Sequence, residues 1–163
     1  MQPLLSRPGA DLQTFKRLTD VNATAEKFGH PGTLIKEYEH WLVLLRPQQV
    51  TLGSLVLVCK EPAPRFSDVS IAGFSELHDA VTAIEGTLGA LYGYQKMNYL
   101  MLMMVDPDVH YHVIPRYDSA RDFAGIEVVD HGWPAMPALG EFVEFDAEAQ
   151  SQLITALKTA WVD

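Results

Sequence analysis

Apolar positions change their spacing along the first part of the chain. Residues 1–32 carry apolar side chains at helical spacing, which predicts one or two short helices, and Gly29 is a typical helix stop. From there the pattern becomes that of strands. Residues 33–39 alternate in part, and residues 41–45 (WLVLL) form a short apolar run. Together they predict a hairpin that turns near Glu39-His40.

A third strand and a long helix follow this hairpin. Residues 51–54 (TLGS) form a turn that leads into the apolar run 55–59. Ser75 is a good N-cap, and a helix is expected from there to Tyr92, with Gly93 as its end. The apolar positions that repeat at helical spacing in this segment are Leu77, Val81, Ile84, Leu88 and Leu91.

Two more strands and a last helix complete the pattern. The longest apolar run lies within the strand predicted over residues 98–105, and Asp106-Pro107 separates this strand from one over 109–115. Residues 132–137 are irregular, and a helix is expected from Asp146. The order of elements predicts an α+β fold: an antiparallel sheet of about five strands with a long helix on one face, and helices at both ends.

The composition limits the size and the partners of the protein. A chain of 163 residues, 48% hydrophobic, fits one domain with a substantial core. Its net charge of −9, from 12 basic and 21 acidic residues, argues against a surface that binds nucleic acid. A small phosphorylated ligand needs only a few local donors and remains compatible with this charge.

The cysteine count and the apolar runs indicate a compartment. Cys59 is the single cysteine, so no internal disulfide can form, and its place at the end of an apolar strand predicts a packed, unreactive thiol. No apolar run approaches the roughly 20 residues that a membrane-spanning helix needs. The N-terminus makes a poor signal peptide. We therefore expect a cytoplasmic protein without a membrane partner.

Residues 106–116 (DPDVHYHVIPR) contain the candidate catalytic or metal-binding side chains. Side chains two apart share one face of a strand, so Asp108, His110 and His112 are predicted to project together. Such polar groups, placed among strongly apolar neighbours, cost about 1–3 kcal/mol each when they are buried without partners. The residues alone leave two chemistries open: three ligands for a divalent metal, or one nucleophilic histidine with the other as an orienting donor and the Asp108 carboxylate fixing a tautomer.

The run 110–116 (HYHVIPR), which follows an apolar strand and a long helix, resembles the motif of the histidine triad family. That motif is His-φ-His-φ-His-φ-φ, where φ is apolar. In the resemblance His112 matches the third histidine and His110 the middle one, the nucleophile of the family's enzymes. The chain departs from the family's pattern at two positions. Asp108 occupies the first histidine position, and Ser54 occupies a position where many members have histidine.

The resemblance covers residues 34–116 and implies one domain of the histidine triad type over residues 1–163. In that domain, residues 1–32 would form an N-terminal helical segment, and residues 117–163 a tail with a terminal helix. The resemblance implies a catalytic group of His110, His112 and Asp108. It also implies substrate-binding roles for four further residues: Arg46, Ser54, Asn98 and Arg116.

By the same resemblance the protein would be a nucleotide hydrolase or transferase, and a homodimer. His110 would attack the α-phosphorus of a dinucleoside polyphosphate or a nucleoside phosphoramidate and form a nucleotidyl-histidine. No cofactor would be required. Two alternatives stay open: a nucleotide-binding protein with little or no turnover, and a metal-dependent enzyme that uses Asp108, His110 and His112.

Overall fold

A computed structural model describes residues 22–163. Most of the predicted N-terminal helical segment, residues 1–21, lies outside the described residues. Within them, the chain forms three α-helices and nine strands, together with a short 3₁₀ helix at Phe66–Asp68. The helices are α1 (Ala23–Lys27), α2 (Ile71–Tyr92) and α3 (Ala147–Ala160). The strands are β1 (Leu34–Glu37), β2 (Trp41–Leu45), β3 (Gln48–Gln49), β4 (Leu55–Cys59), β5 (Lys96–Leu100), β6 (His110–Arg116), β7 (Arg121–Phe123), β8 (Ile126–Val128) and β9 (Val143–Glu144).

The main sheet has five antiparallel strands in the order β1-β2-β4-β6-β5, and it confirms the predicted α+β architecture. The hairpin of β1 and β2 and the strand Leu55–Cys59 lie where the sequence predicts them. Both central strands β2 and β4 are buried along their whole length, because the sheet is covered on two sides. Among residues 22–163, no helix has the length and apolarity to cross a membrane.

The two faces of the sheet pack against different helices. One face joins α2 and α3 in the main core, where Leu57 and Ile84 are fully buried. Cys59 lies in this core, and burial raises the pKa of its thiol to about 11, which confirms the predicted packed thiol. The opposite face packs against α1 in a smaller cluster that contains Ala25, Leu42, Leu44, Val56 and Val58.

The long helix begins earlier than the sequence predicts. Ser70, not Ser75, is the N-cap, and its hydroxyl accepts a hydrogen bond from the Gly73 amide at 2.9 Å. Glu61 holds this cap in place by accepting hydrogen bonds from the amide and the hydroxyl of Ser70. The helix ends as predicted, because Gly93 takes the left-handed conformation with φ of 58°.

The prediction of a strand over residues 98–105 is wrong at both ends. The strand spans Lys96–Leu100, and the chain then leaves the sheet in a loop over residues 101–109, where Leu102, Met104 and Val105 are exposed. Met103 has a positive φ of 49°, which a strand cannot accommodate. The hairpin between β5 and β6 is therefore much wider than the two-residue turn at Asp106-Pro107.

The C-terminal part contains short strands that the sequence pattern does not indicate. Strands β7 and β8 form a small hairpin, and β9 pairs with β3. The pairing of β9 with β3 brings Glu144 beside Gln48, close to the end of β2. The last helix begins after Asp146, close to its predicted start, and the Asp146 side chain caps it.

The position at which α2 begins can be tested by measuring stability. We expect Ser70→Ala to lower the free energy of unfolding by about 1 kcal/mol, because a helix amide loses its acceptor. Ser75→Ala is the matched control, and it should leave stability unchanged or raise it slightly, since alanine favours an exposed helix interior. Urea unfolding of both variants decides the question. A larger loss in Ser75→Ala than in Ser70→Ala would contradict this helix start.

Candidate functional site

Strand β6 presents its two histidines on the face of the sheet that packs against α1. His110 lies opposite Val58 and His112 opposite Val56, in the register of the β4–β6 pair. The ring centroids are 5.1 Å apart and the rings are nearly perpendicular, at 87°. The common face predicted for the two imidazoles is therefore confirmed.

The ring of His110 is held by the main chain of the preceding loop. Its Nδ1 lies 2.7 Å from the carbonyl oxygen of Asp108, and the residue is only 2% exposed. A carbonyl oxygen only accepts hydrogen bonds, so Nδ1 carries the proton. In the neutral ring the lone pair is then on Nε2, which has no hydrogen-bond partner among residues 22–163. This arrangement presents a nucleophilic nitrogen.

Asp108 contributes through its main chain, which differs from the predicted row of three side chains. It lies ahead of β6, in a bend, and its carboxylate accepts a hydrogen bond from the hydroxyl of Thr24 in α1 at 2.8 Å. The prediction that this carboxylate fixes an imidazole tautomer is wrong, because the carbonyl makes that contact. Any residue supplies a carbonyl, so an aspartate at this position leaves the orientation of His110 intact.

His112 is oriented by an arginine. The Nη1 atom of Arg46 lies 2.7 Å from Nδ1 of His112, and a guanidinium only donates, so the proton of the neutral ring is on Nε2. Burial, and then the positive charge of Arg46, lower the pKa of His112 to about 4. The ring is therefore neutral at physiological pH. His112 therefore has its N–H donor on Nε2, in a ring whose centroid lies 5.1 Å from that of His110.

Arg46 carries a buried positive charge at this site. It is 9% exposed, and its Nε donates to the carbonyl oxygen of Gln48 at 3.0 Å. Among residues 22–163 no carboxylate lies within ion-pair distance of its guanidinium. Burial lowers the pKa of this guanidinium, because a buried positive charge without a partner is unfavourable. An anion beside Arg46 would compensate that charge.

A cavity of about 280 Å³ opens next to this arginine. Phe28, at the end of α1, forms one wall, and its ring centroid lies 5.7 Å from that of His112 and 6.1 Å from that of His110. The lining residues are Lys27, Phe28, Arg46, Pro47, Gln48 and Glu144. The aromatic wall and the cationic side chains of the cavity suit a ligand with a flat ring and a phosphate, whereas the Glu144 carboxylate would repel the phosphate. Neither His110 nor His112 is among the lining residues.

Three of the four residues predicted to bind substrate lie away from this cavity. Ser54 is fully buried in the turn before β4, where its hydroxyl donates to the Thr51 carbonyl at 2.7 Å, so a substrate cannot reach it. At the other end of β6, Arg116 forms a buried ion pair with Asp130 and also donates to Asn98. This network ties the loop after Asp130 to the sheet.

The structure brings to the site five residues that the sequence analysis did not assign to it: Lys27, Phe28, Pro47, Gln48 and Glu144. Phe28 belongs to an apolar helical stripe, and Glu144 to a tail with no visible pattern. Arg46 does reach the site, as predicted, although its observed contact is with His112.

The metal-binding alternative receives no support from side-chain geometry. Within residues 22–163, no three histidine, cysteine, aspartate or glutamate side chains converge as ligands for one ion. The carboxylate of Asp108 is engaged by Thr24, and Nδ1 of His110 by a carbonyl. The predicted set of three ligands on one strand face is therefore not assembled.

Comparison with known proteins identifies the fold. No family model and no curated protein matches the chain. A histidine triad protein from Bradyrhizobium japonicum superposes with a TM-score of 0.68 at 19% identity, covering 88% of this chain and 98% of its own. One from Marinobacter aquaeolei gives 0.68 at 21% identity, covering 87% and 95%. A Plasmodium falciparum diadenosine triphosphate hydrolase gives 0.55 at 10% identity, covering 79% and 76%. The chain thus has the histidine triad fold.

The electrostatics of the site predict an acid-shifted histidine. In an NMR titration, His112 should remain neutral down to a pKa of about 4. Arg46→Gln should raise this pKa, because a neighbouring positive charge disfavours the imidazolium and is removed. Desolvation is the larger cause, so the variant should still titrate below the ordinary value. A wild-type midpoint near the ordinary histidine pKa of about 6.5 would contradict this description of the site.

Proposed function

Because the chain has the histidine triad fold, we propose that it is a nucleotide hydrolase or transferase in which His110 is the nucleophile. The observation that carries the proposal is the contact between Nδ1 of His110 and the Asp108 carbonyl, which leaves the Nε2 lone pair beside a second imidazole. Neutral imidazole is a competent nucleophile near neutral pH.

In the first step, Nε2 of His110 attacks the α-phosphorus of the substrate. An N–P bond forms, and the bond from phosphorus to the leaving group breaks with its electron pair on that group. Water then attacks the same phosphorus, and the N–P bond returns its electron pair to Nε2. The products are a nucleoside monophosphate and the leaving group, which takes up a proton. An acceptor other than water would make the reaction a transfer.

Negative charge on the non-bridging oxygens needs stabilisation during both steps. The His112 ring, which has its N–H on Nε2, lies beside the His110 ring, and the uncompensated charge of Arg46 is fixed against Nδ1 of His112 before the substrate arrives. Preorganised donors of this kind usually make the largest single contribution to catalysis. The nucleoside would occupy the cavity beside Arg46, with its base against Phe28.

The proposed substrates are dinucleoside polyphosphates and nucleoside phosphoramidates. Both carry a group that can leave the α-phosphorus, the amine of the phosphoramidate once it is protonated, and both leave a nucleoside monophosphate on the histidine. The mechanism requires no cofactor. We also propose that the protein acts as a homodimer in the cytoplasm, since isologous pairing is the default for soluble homo-oligomers.

Substitution of the two histidines tests this mechanism. His110→Asn should reduce turnover of a fluorogenic nucleoside phosphoramidate by at least about a thousandfold, because the variant lacks the proposed nucleophile. His112→Gln should reduce kcat by about a hundredfold, as expected for the loss of one oxyanion donor. His78→Gln, at an exposed position of α2, is the control and should retain full activity.

Mass spectrometry separates the proposal from its alternatives. Wild-type protein quenched during turnover of a labelled substrate should carry the nucleoside monophosphate on His110, and His110→Asn should carry none. A protein that only binds nucleotides would show ligand-dependent stabilisation without product or adduct. A metal-dependent enzyme would lose activity in chelator and regain it with a divalent ion. Either of these two results would overturn the covalent mechanism.

A further inference from the structure

Helix α1 and the following Phe28 lie over the proposed nucleophile. The Phe28 ring contacts both imidazoles, and His110 is only 2% exposed. A phosphorus atom needs an open approach to Nε2 of His110. Because Phe28 and Lys27 also line the cavity, the position of α1 determines the shape of the proposed binding site and the access to it.

Besides the buried Ala25 and the hydrogen bond from the Asn22 side chain to the Cys59 carbonyl at 2.7 Å, two aspartates of the loop between β5 and β6 hold α1 in this position. Asp108 accepts hydrogen bonds from the hydroxyl of Thr24 at 2.8 Å and from its amide at 3.4 Å. Asp106 pairs with Lys27 at 2.8 Å, but Lys27 is half exposed and solvent screens that pair. Thr24 is 1% exposed, so its contact with Asp108 is the better shielded of the two.

The short length of α1 makes these contacts important. A helix of five residues has little stability of its own, and it stays in place only through tertiary contacts. Beyond Phe28, the chain turns at Gly29, whose φ is +88°. A Cβ at that position would lie 2.8 Å from the Thr33 side chain, so the turn requires glycine. The helix is thus bounded by a fixed turn on one side and fastened by Asp108.

We propose that Asp108 is a positioning residue, whose carboxylate fastens α1 through Thr24 as a closed lid over His110. The effect of this lid on catalysis rests on the proposed function. It gives a reason for the aspartate in place of the first histidine: the main-chain carbonyl orients His110, and the side chain is free to hold the lid.

The rate at which His110 is chemically modified measures how far α1 shields it, and this measurement needs no substrate. Diethyl pyrocarbonate acylates accessible neutral imidazole, and mass spectrometry locates the adduct. In Asp108→Ala and in Thr24→Val, His110 should react about tenfold faster than in the wild type, because the loss of a hydrogen bond to a charged group shifts an opening equilibrium by about that factor. Equal protection of His110 in all three proteins would overturn the proposal that α1 is a lid held by Asp108.

Conservative variants separate this positioning role from a general loss of stability. Asp108→Asn keeps an acceptor for the Thr24 hydroxyl, and Thr24→Ser keeps the hydroxyl, so both should protect His110 as the wild type does. Thr82→Val and Asp122→Ala make the same types of change at exposed positions and should leave the modification rate unchanged. Fast modification in Asp108→Asn and Thr24→Ser would count against the hydrogen bond as the fastener.

Kinetics connect the lid to the proposed reaction. With α1 released, the wall formed by Phe28 is displaced, so KM should rise about tenfold in Asp108→Ala and Thr24→Val while kcat changes much less. Wild-type KM in both variants would overturn the positioning role. If no protein turns over any nucleotide, the proposed function fails, and the modification rates still decide whether α1 is a lid.

Discussion

The site depends on one hydrogen bond between the His110 ring and the main chain two residues before it. Because a carbonyl can only accept, this contact fixes the tautomer of the ring and leaves Nε2 as the atom with the lone pair. Arg46 imposes the opposite tautomer on His112. Two neighbouring imidazoles of the same strand thus offer a lone pair and a donor, which is the combination that attack on a phosphate needs.

The packing of the sheet explains why these rings are placed on this side. The face towards α2 and α3 forms the main apolar core, where an unpaired polar group would be costly. The opposite face is covered by the short α1 and a smaller apolar cluster, which leaves room for polar groups and a cavity at its edge. Burial there has a functional consequence, because it keeps His112 neutral through its lowered pKa.

Local sequence patterns predict much of this fold. The hairpin of β1 and β2, the strand β4 and the end of α2 at Gly93 follow from apolar runs and from turn residues that act over short distances. The loop over residues 101–109 could not be predicted in this way. Its apolar composition is that of a strand, and only the left-handed Met103 and the exposure of its side chains distinguish it.

The candidate site was predictable in part. Strand periodicity places His110 and His112 on one face, and the resemblance adds Arg46. The contact of Asp108 with Thr24 joins residues that are 84 positions apart, so no local pattern could indicate it. For the same reason a spacing argument assigned the Asp108 carboxylate to an imidazole, when its own main chain makes that contact. The positions of Ser54 and Arg116 likewise depend on tertiary partners, Thr51 and Asp130.

The opposite tautomers of the two histidines can be measured by NMR. Long-range ¹H–¹⁵N correlation spectra near neutral pH, assigned with His110→Asn and His112→Gln, report which ring nitrogen carries the proton. We expect a proton on Nδ1 and a bare Nε2 in His110, with the opposite arrangement in His112. A proton on Nε2 of His110, or a doubly protonated His112, would contradict this expectation.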